Sequence, residues 1–341
     1  MVFAIRFEGY EAIVEYLHIE EKADIEVHGQ KVEKEKRHCL FCGRNAPEVK
    51  FSKIAHAVSE SIGNKSLFSH FECNQCNEAF GELFEDSLGK YLLPFKIISQ
   101  IYGKKNRLIA KDKPHDEQIS FGTYQIQLNK NVPVFEDISA KGLIIENPSA
   151  DILTMTDEGF KLNIPRQHYI PELVYCAFLK MAYSLLPLEL YTNYVKKFVE
   201  IHQLSLKDSE CFNAEEKEQY IKNLPNCGVF SFASGINPYD GVNVYLLQRK
   251  NNNMNHPLLL FYIQMGNFSF AIPVLSDNEI GNFKMPNFTV NKNEQYSILD
   301  LKTEEPNFVC YFSAKKMEIQ NKLQVENVLR KHNLLKSEDN I

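Results

Sequence analysis

Two pairs of cysteines with the same internal spacing constrain this chain more than any other feature. Cys39 and Cys42 form one CxxC motif, and Cys73 and Cys76 form a second one, thirty residues further along. A CxxC turn lets two thiolates reach one metal ion, and two such turns supply the closed, tetrahedral four-cysteine site that is typical of structural zinc. Because a closed site has no open coordination position, any catalytic group must come from other residues nearby.

The composition is that of an ordinary globular protein. The 341-residue chain is 44% hydrophobic and 24% charged, with a formal net charge of −6. No apolar run approaches the length of a membrane span. The N-terminal stretch contains Arg6 and Glu8, which a secretory signal would lack. We therefore expect a cytoplasmic protein with no membrane partner, in which disulfides are not expected.

The length predicts two domains, which we place at residues 1–105 and 106–341. In the first, Glu11–His18 resembles a short helix. From Glu72 to about Ile101 the apolar residues recur at three- and four-residue spacing, which predicts an amphipathic helix. The polar, basic and proline-containing stretch Gly103–Gln118 is the expected hinge between the domains.

The second half predicts an α+β domain. Tyr169–Gln203 has the strongest helical pattern there, and Pro187 divides it into two helices. Lys315–His332 predicts a closing helix. Between these helical regions, β-branched and aromatic runs bounded by glycine, asparagine and proline predict an antiparallel-type, strand-rich region. Its expected strands are Val229–Ala233, Val242–Leu247, Pro257–Met265, Phe268–Val274, Tyr296–Leu301 and Phe308–Phe312.

The residues between and beside the CxxC pairs follow a specific order. After the first pair come Ala-His with a nearby Glu, then Gly-Asn-Lys, then Glu-Cys-x-x-Cys-Asn, then Phe-Gly and an acidic pair. This order resembles the HNH endonuclease family in its CxxC-containing branch, over about residues 39–95. The resemblance implies a ββα-metal fold, in which a hairpin carries a histidine, a helix follows and one divalent metal lies between them. It also implies that the two CxxC pairs bind a separate structural zinc.

The resemblance assigns roles to three residues. His56 matches the general base, and Asn77 matches a ligand of the catalytic metal. Asn64 is the best match for the asparagine that orients the hairpin loop, although His70 lies nearer the usual position. These roles suit the residue types, because a histidine near its ordinary pKa can take a proton from water. Oxygen and nitrogen ligands suit Mg²⁺ or Mn²⁺, which can clamp a phosphate.

One position departs from the family pattern. Many members place an acidic metal ligand directly before the base, where this chain has Ala55. Either another carboxylate, with Glu60 and Glu85 as candidates, supplies the ligand, or metal binding is weak. For both glutamates a solvated surface charge is an equal alternative.

The resemblance therefore predicts a metal-dependent endonuclease that hydrolyses phosphodiester bonds, with DNA as the expected substrate. Lys104, Lys105 and Arg107 would lie on the nucleic-acid side of the hinge. Families of this kind also imply a role in restriction or antiviral defence, where the second domain recognises the target or binds an activating ligand. The alternatives are a non-catalytic, zinc-binding module for nucleic acid or protein, and a second domain that only forms homo-oligomers. The sequence leaves DNA against RNA, oligomeric state and activating ligand open.

Overall fold

The structure is a computed structural model. It describes residues 5–29, 32–99, 101, 108–112, 117–126, 138–146, 153–156, 159–190, 198, 215, 219, 227–233, 241–274, 284–290 and 294–313. The described helices are α1 (Asn74–Phe80), α2 (Asp86–Ile98) and α3 (Pro171–Leu185), with a π-turn over Gly81–Glu85 between the first two. The described strands are β1 (Ile5–Phe7), β2 (Tyr10–Tyr16), β3 (Ile25–Glu26), β4 (Ala55–His56), β5 (Leu67–Ser69), β6 (Leu108–Asp112), β7 (Glu117–Ile126), β8 (Ile138–Glu146), β9 (Leu153–Thr156), β10 (Gly159–Pro165), β11 (Cys227–Ala233), β12 (Val242–Arg249), β13 (Leu259–Met265), β14 (Phe268–Val274), β15 (Phe288–Val290), β16 (Glu294–Asp300) and β17 (Asn307–Ser313).

The segment with the cysteines contains a short hairpin followed by a helix. Strands β4 and β5 pair antiparallel, with His56 opposite Phe68, and β3 joins β5 in parallel. The helix predicted from Glu72 to Ile101 is present as α1 and α2, with the π-turn between them. The fold class is accordingly a mixture of α and β, and the order of hairpin and helix is the predicted one.

Five strands of the second half and β2 form one sheet within the described residues, in the order β16-β11-β14-β13-β12-β2. Every neighbouring pair in it is antiparallel. Strands β13 and β14 are buried along their whole length, because apolar clusters cover both faces of the sheet. All six strands predicted in the second half are confirmed, with small shifts at their ends. One of them, β17, pairs antiparallel with β10 in a separate sheet, and the other five lie in the six-stranded sheet.

The helix predicted at Glu11–His18 is wrong, since these residues largely form the edge strand β2 of that sheet. Strand β2 pairs antiparallel with β12, and Val14 lies opposite Leu246. Apolar β-branched residues such as Ile13 and Val14 fit a pleated surface, and this tertiary pairing outweighs the local helical pattern.

The described parts of the two predicted domains share a core. One buried apolar cluster contains Val58 and Phe84 from the cysteine-containing segment together with Phe178 and Phe270 from the second half. A separate arrangement of two domains is therefore not confirmed, and the division at residue 105 stays a prediction.

Helix α3 lies between the cysteine-containing segment and the six-stranded sheet. The Ile170 N–H donates to Ser87 Oγ on α2, and the Tyr175 hydroxyl donates to the Pro273 carbonyl on β14. The helix predicted from Tyr169 is confirmed as far as Leu185. The helix predicted after Pro187 falls mostly outside the described residues, and Lys315–His332 lies wholly outside them.

The stretch expected as a hinge contains β6, which pairs with β7 through Leu108 opposite Phe121. Gly103–Gln118 is therefore partly strand, because its apolar residues find a partner further along the chain. Lys104, Lys105 and Arg107 lie outside the described residues. None of the helices in the described part of the chain combines the length and the apolar character that a membrane crossing requires.

Candidate active site and zinc site

The four predicted zinc ligands meet in one place. The sulfur atoms of Cys39, Cys42, Cys73 and Cys76 all lie within 4.8 Å of one another, and the Sγ atoms of Cys42 and Cys73 are 3.8 Å apart. Four sulfurs at about 2.3 Å from one tetrahedral zinc would be about 3.8 Å from each other. Two main-chain turns and one short helix thus bring together the donor set of a structural zinc site.

Polar groups around the cluster favour thiolates. The Cys73 N–H donates to Cys39 Sγ at 3.4 Å, and Arg44 Nε lies 3.4 Å from Cys42 Sγ. Hydrogen bonds among the four thiols hold the pKa of Cys42 far below its usual range and lower the pKa of Cys73 to about 7, and they raise the pKa of Cys39 and Cys76 well above theirs. Without a metal the cluster therefore shares a few protons among its four sulfurs, and zinc would displace these protons because the thiolate is the form that binds it.

His56 lies on β4, near the middle of the segment between the two CxxC pairs. Its ring is half-buried and packs against Phe68 at a centroid distance of 5.0 Å. Its main-chain carbonyl accepts a hydrogen bond from Lys180 Nζ at 3.3 Å. The preceding residue, Ala55, is buried, so the position that is acidic in many HNH proteins is an apolar one here.

Asn64 bridges the loop between β4 and β5. Its Nδ2 donates to the carbonyls of Val58 and Leu67, at 2.6 and 2.9 Å. Its Oδ1 accepts from the N–H groups of Ser66 and Leu67, at 3.2 and 2.8 Å. These contacts are those that a loop-orienting side chain would make.

His70, the other candidate for that position, is engaged elsewhere. It is buried, its Nε2 lies 2.8 Å from Glu26 Oε1, and its Nδ1 faces Arg37 Nη2 at 3.2 Å. Since an arginine can only donate, Nδ1 accepts and Nε2 carries the proton toward the carboxylate. His70, which follows β5, is therefore linked through Nε2 to β3 and through Nδ1 to the segment just before the first CxxC motif.

Asn77 and Glu85 line a common cleft together with Ser59 and Lys180. The π-turn Gly81–Glu85 adds one residue to the helical turn between them. Asn77 is half-buried, whereas Glu85 is exposed. Glu60 follows Ser59 on a short 3₁₀ turn and does not line this cleft, so the structure brings Glu85, rather than Glu60, to Asn77.

Sequence reasoning missed a buried ion pair behind this cleft. Glu72 is fully buried, and its Oε2 lies 2.9 Å from Lys180 Nζ. Burial raises the pKa of Glu72 above its ordinary value, an effect that the Lys180 ammonium opposes. Glu72 belongs to the pattern of the second CxxC motif, but Lys180 lies far from it in the sequence. Lys180 also contacts His56, which is 124 residues away, so no local spacing could indicate either contact.

Comparison with known proteins gives one match, to a family model. No curated protein and no solved structure matches this chain. The family model described as HNH endonuclease matches residues 39–93. That range contains the four cysteines, His56, Asn64, Asn77 and Glu85. The resemblance indicated by the order of these residues is thus confirmed, and residues 39–93 of this chain are a match to the HNH endonuclease family.

Proposed function

We propose that this protein is a metal-dependent HNH endonuclease that hydrolyses phosphodiester bonds, with His56 as general base. The proposal rests mainly on the cleft that both Asn77 and Glu85 line. These two residues lie on the helical segment that follows the hairpin with His56. The family match over residues 39–93 supports the same reaction class.

In this proposal each residue has a separate role. His56 takes the proton of the attacking water, and the loop held by Asn64 keeps the hairpin in place. Asn77 and Glu85 would hold the divalent ion, with an amide and a carboxylate oxygen as donors that suit a hard cation. When bound, Mg²⁺ or Mn²⁺ neutralises charge on the phosphate and the leaving oxygen. The four cysteines would hold a structural zinc that fixes the module.

DNA is the proposed substrate, and a role in restriction or antiviral defence in the cytoplasm is the proposed context. Both rest on the resemblance to HNH endonucleases. A homo-oligomer and an activating ligand for the second half of the chain belong to the same proposal.

One observation favours a second candidate function. Ala55 is buried where many HNH proteins have an acidic metal ligand, which fits a non-catalytic, zinc-binding module that binds nucleic acid or protein. Glu85 in the cleft weighs against this alternative, because it supplies a carboxylate beside Asn77.

The test uses the purified full-length chain with supercoiled plasmid DNA, with and without added Mg²⁺ or Mn²⁺. A matched RNA substrate decides between the two nucleic acids. We expect metal-dependent cleavage that His56→Ala lowers by at least about a hundredfold, the scale of losing a general base. His168→Ala is the matched control, because this exposed histidine pairs with Glu304 outside the module. Equal cleavage by His56→Ala and the parent would refute the assignment, and tight binding without any cleavage would favour the second candidate.

A further inference from the structure

Helix α3 reaches the proposed nuclease site through two adjacent side chains. Lys180 Nζ donates to the main-chain carbonyl of His56 at 3.3 Å. The Ser59 N–H lies 3.4 Å from Met181 Sδ. Both contacts are made to the main chain of residues 56–59, at the end of β4. The segment that carries the proposed base is therefore held by residues from outside the family-matched range.

Lys180 is itself held in a fixed place. Its side chain is 10% exposed, and Nζ lies 2.9 Å from the fully buried carboxylate of Glu72. A buried ammonium needs a charged or polar partner, because leaving it unpaired away from water is costly. The ion pair therefore orients Nζ toward His56, and it joins α3 to the residue before Cys73.

The opposite side of α3 is anchored in the six-stranded sheet. The Tyr175 hydroxyl donates to the Pro273 carbonyl at 2.9 Å, and the ring of Phe178 packs against those of Phe261 and Phe270. The position of Lys180 therefore depends on strands of the second half of the chain.

We propose that Lys180 is a positioning residue of the nuclease reaction, which acts by fixing the main chain of His56. This inference rests on the proposed function. Lys180 lines the cleft together with Asn77, and its ammonium faces Glu72 and the His56 carbonyl. We therefore assign its effect to the position of His56, and the kinetic test below separates this effect from a contact with the substrate. It follows that the nuclease site is incomplete without α3, and that the second half of the chain sets the geometry of the base.

The kinetic test compares three variants of the full-length chain with the parent, on the same DNA and metal. Lys180→Met keeps the length of the side chain and removes the donor. We expect kcat to fall by about tenfold to a hundredfold with KM unchanged, because a small displacement of a catalytic group costs rate and not substrate binding. Lys180→Arg should recover part of kcat, since a guanidinium can still pair with Glu72 and donate to the carbonyl. Lys250→Met, which breaks an exposed ion pair with Glu11, should leave both parameters unchanged.

Several outcomes would overturn the proposal. One is a folded, zinc-containing Lys180→Met variant with the kcat of the parent. Another is a raised KM at unchanged kcat, which would assign Lys180 to substrate binding. A third is Lys180→Arg as impaired as Lys180→Met. If Lys180→Met does not fold, Glu72→Gln decides, because it loosens Lys180 without removing it: a lower kcat supports the proposal and an unchanged kcat overturns it.

A second measurement does not depend on cleavage. Amide hydrogen exchange at Ala57 and Ser59 reports on the main chain beside His56, since the Ala57 N–H donates to the Leu67 carbonyl and Ser59 contacts Met181. We expect faster exchange at both amides in Lys180→Met and no change in Lys250→Met. If the parent cleaves nothing, the proposed function fails by itself, and unchanged exchange in Lys180→Met would separately refute the positioning role.

Discussion

Asn64 and Leu67 hydrogen-bond each other twice, since the Asn64 amide donates to the Leu67 carbonyl and accepts from the Leu67 N–H. Asn64 is fully buried, so every polar atom of its amide must find a partner inside the protein. The pair closes the loop between β4 and β5, and so links the middle of the motif to β5, the strand that pairs with the one carrying His56.

Asn64→Ala should destabilise the module, because the buried Val58 carbonyl and Leu67 N–H lose the partner that Asn64 provides, whereas the Ser66 N–H and the Leu67 carbonyl keep their bonds to Ile19 and Ala57. We expect the free energy of unfolding to fall by about 3 kcal/mol, the cost of unsatisfied buried polar groups. Urea denaturation followed by circular dichroism measures it. Asn253→Ala, in an exposed loop, is the control and should change stability little. An equal, small effect of both variants would show that the loop does not depend on Asn64.

The zinc site predicts one zinc per chain, measurable by elemental analysis of the purified protein. Cys73→Ser should lower the zinc content and destabilise the module, because metal binding contributes to its folding. Cys176→Ser is the control, since Cys176 is buried on α3 away from the cluster. Full zinc content in Cys73→Ser would contradict the assignment.

Zinc binding should weaken as the pH falls. The pKa of Cys73 is lowered to about 7, so this thiol is largely a thiolate above pH 7 and becomes protonated below it. Protons compete with zinc for the sulfurs, and Cys39 and Cys76, whose pKa values are raised, must also lose their protons on binding. The affinity for zinc and the zinc-dependent stability therefore fall as the pH falls. Competition with a chromophoric chelator across pH 5 to 8 measures the affinity, and a pH-independent affinity would contradict the ligand set.

If Asn77 and Glu85 hold the catalytic metal, substitution of the two candidate glutamates should affect the metal dependence of cleavage differently. Glu85→Gln and Asn77→Ala should raise the Mg²⁺ or Mn²⁺ concentration that gives half-maximal cleavage, because both side chains line the same cleft. Glu60→Gln should not, and neither should Glu82→Gln, an exposed residue of the same π-turn. A shift in Glu60→Gln alone would assign the ligand to the other candidate.

The shared core predicts that the two predicted domains depend on each other. A fragment that ends near Lys113 lacks both α3 and the partner strand of β2, and it exposes apolar residues such as Val58 and Phe84. We expect it to bind zinc less tightly and to be cleaved rapidly by protease, compared with the full chain. A stable, active fragment would show instead that residues 1–105 form an independent domain.

The sequence by itself predicted the cluster of four cysteines, the helix after the second CxxC motif and the strands of the second half. Each of these follows from contacts between residues close in the chain: two cysteines on one turn, apolar residues at helical spacing, and β-branched residues bounded by turns. The order of motifs between Cys39 and Asn77 also indicated the resemblance to HNH endonucleases that the family model matches over residues 39–93, because local spacing fixes how a hairpin and a helix present their side chains.

Only the tertiary structure decided which carboxylate lies beside Asn77, how Lys180 meets His56, and that β2 belongs to the second sheet. The π-turn that lies between Asn77 and Glu85 leaves no clear local pattern. The contacts of Lys180 with Glu72 and His56 join residues more than a hundred positions apart. Such contacts depend on how the helices and strands pack against each other in the folded protein. The packing energy is distributed over the whole core, so no single segment of the sequence encodes it.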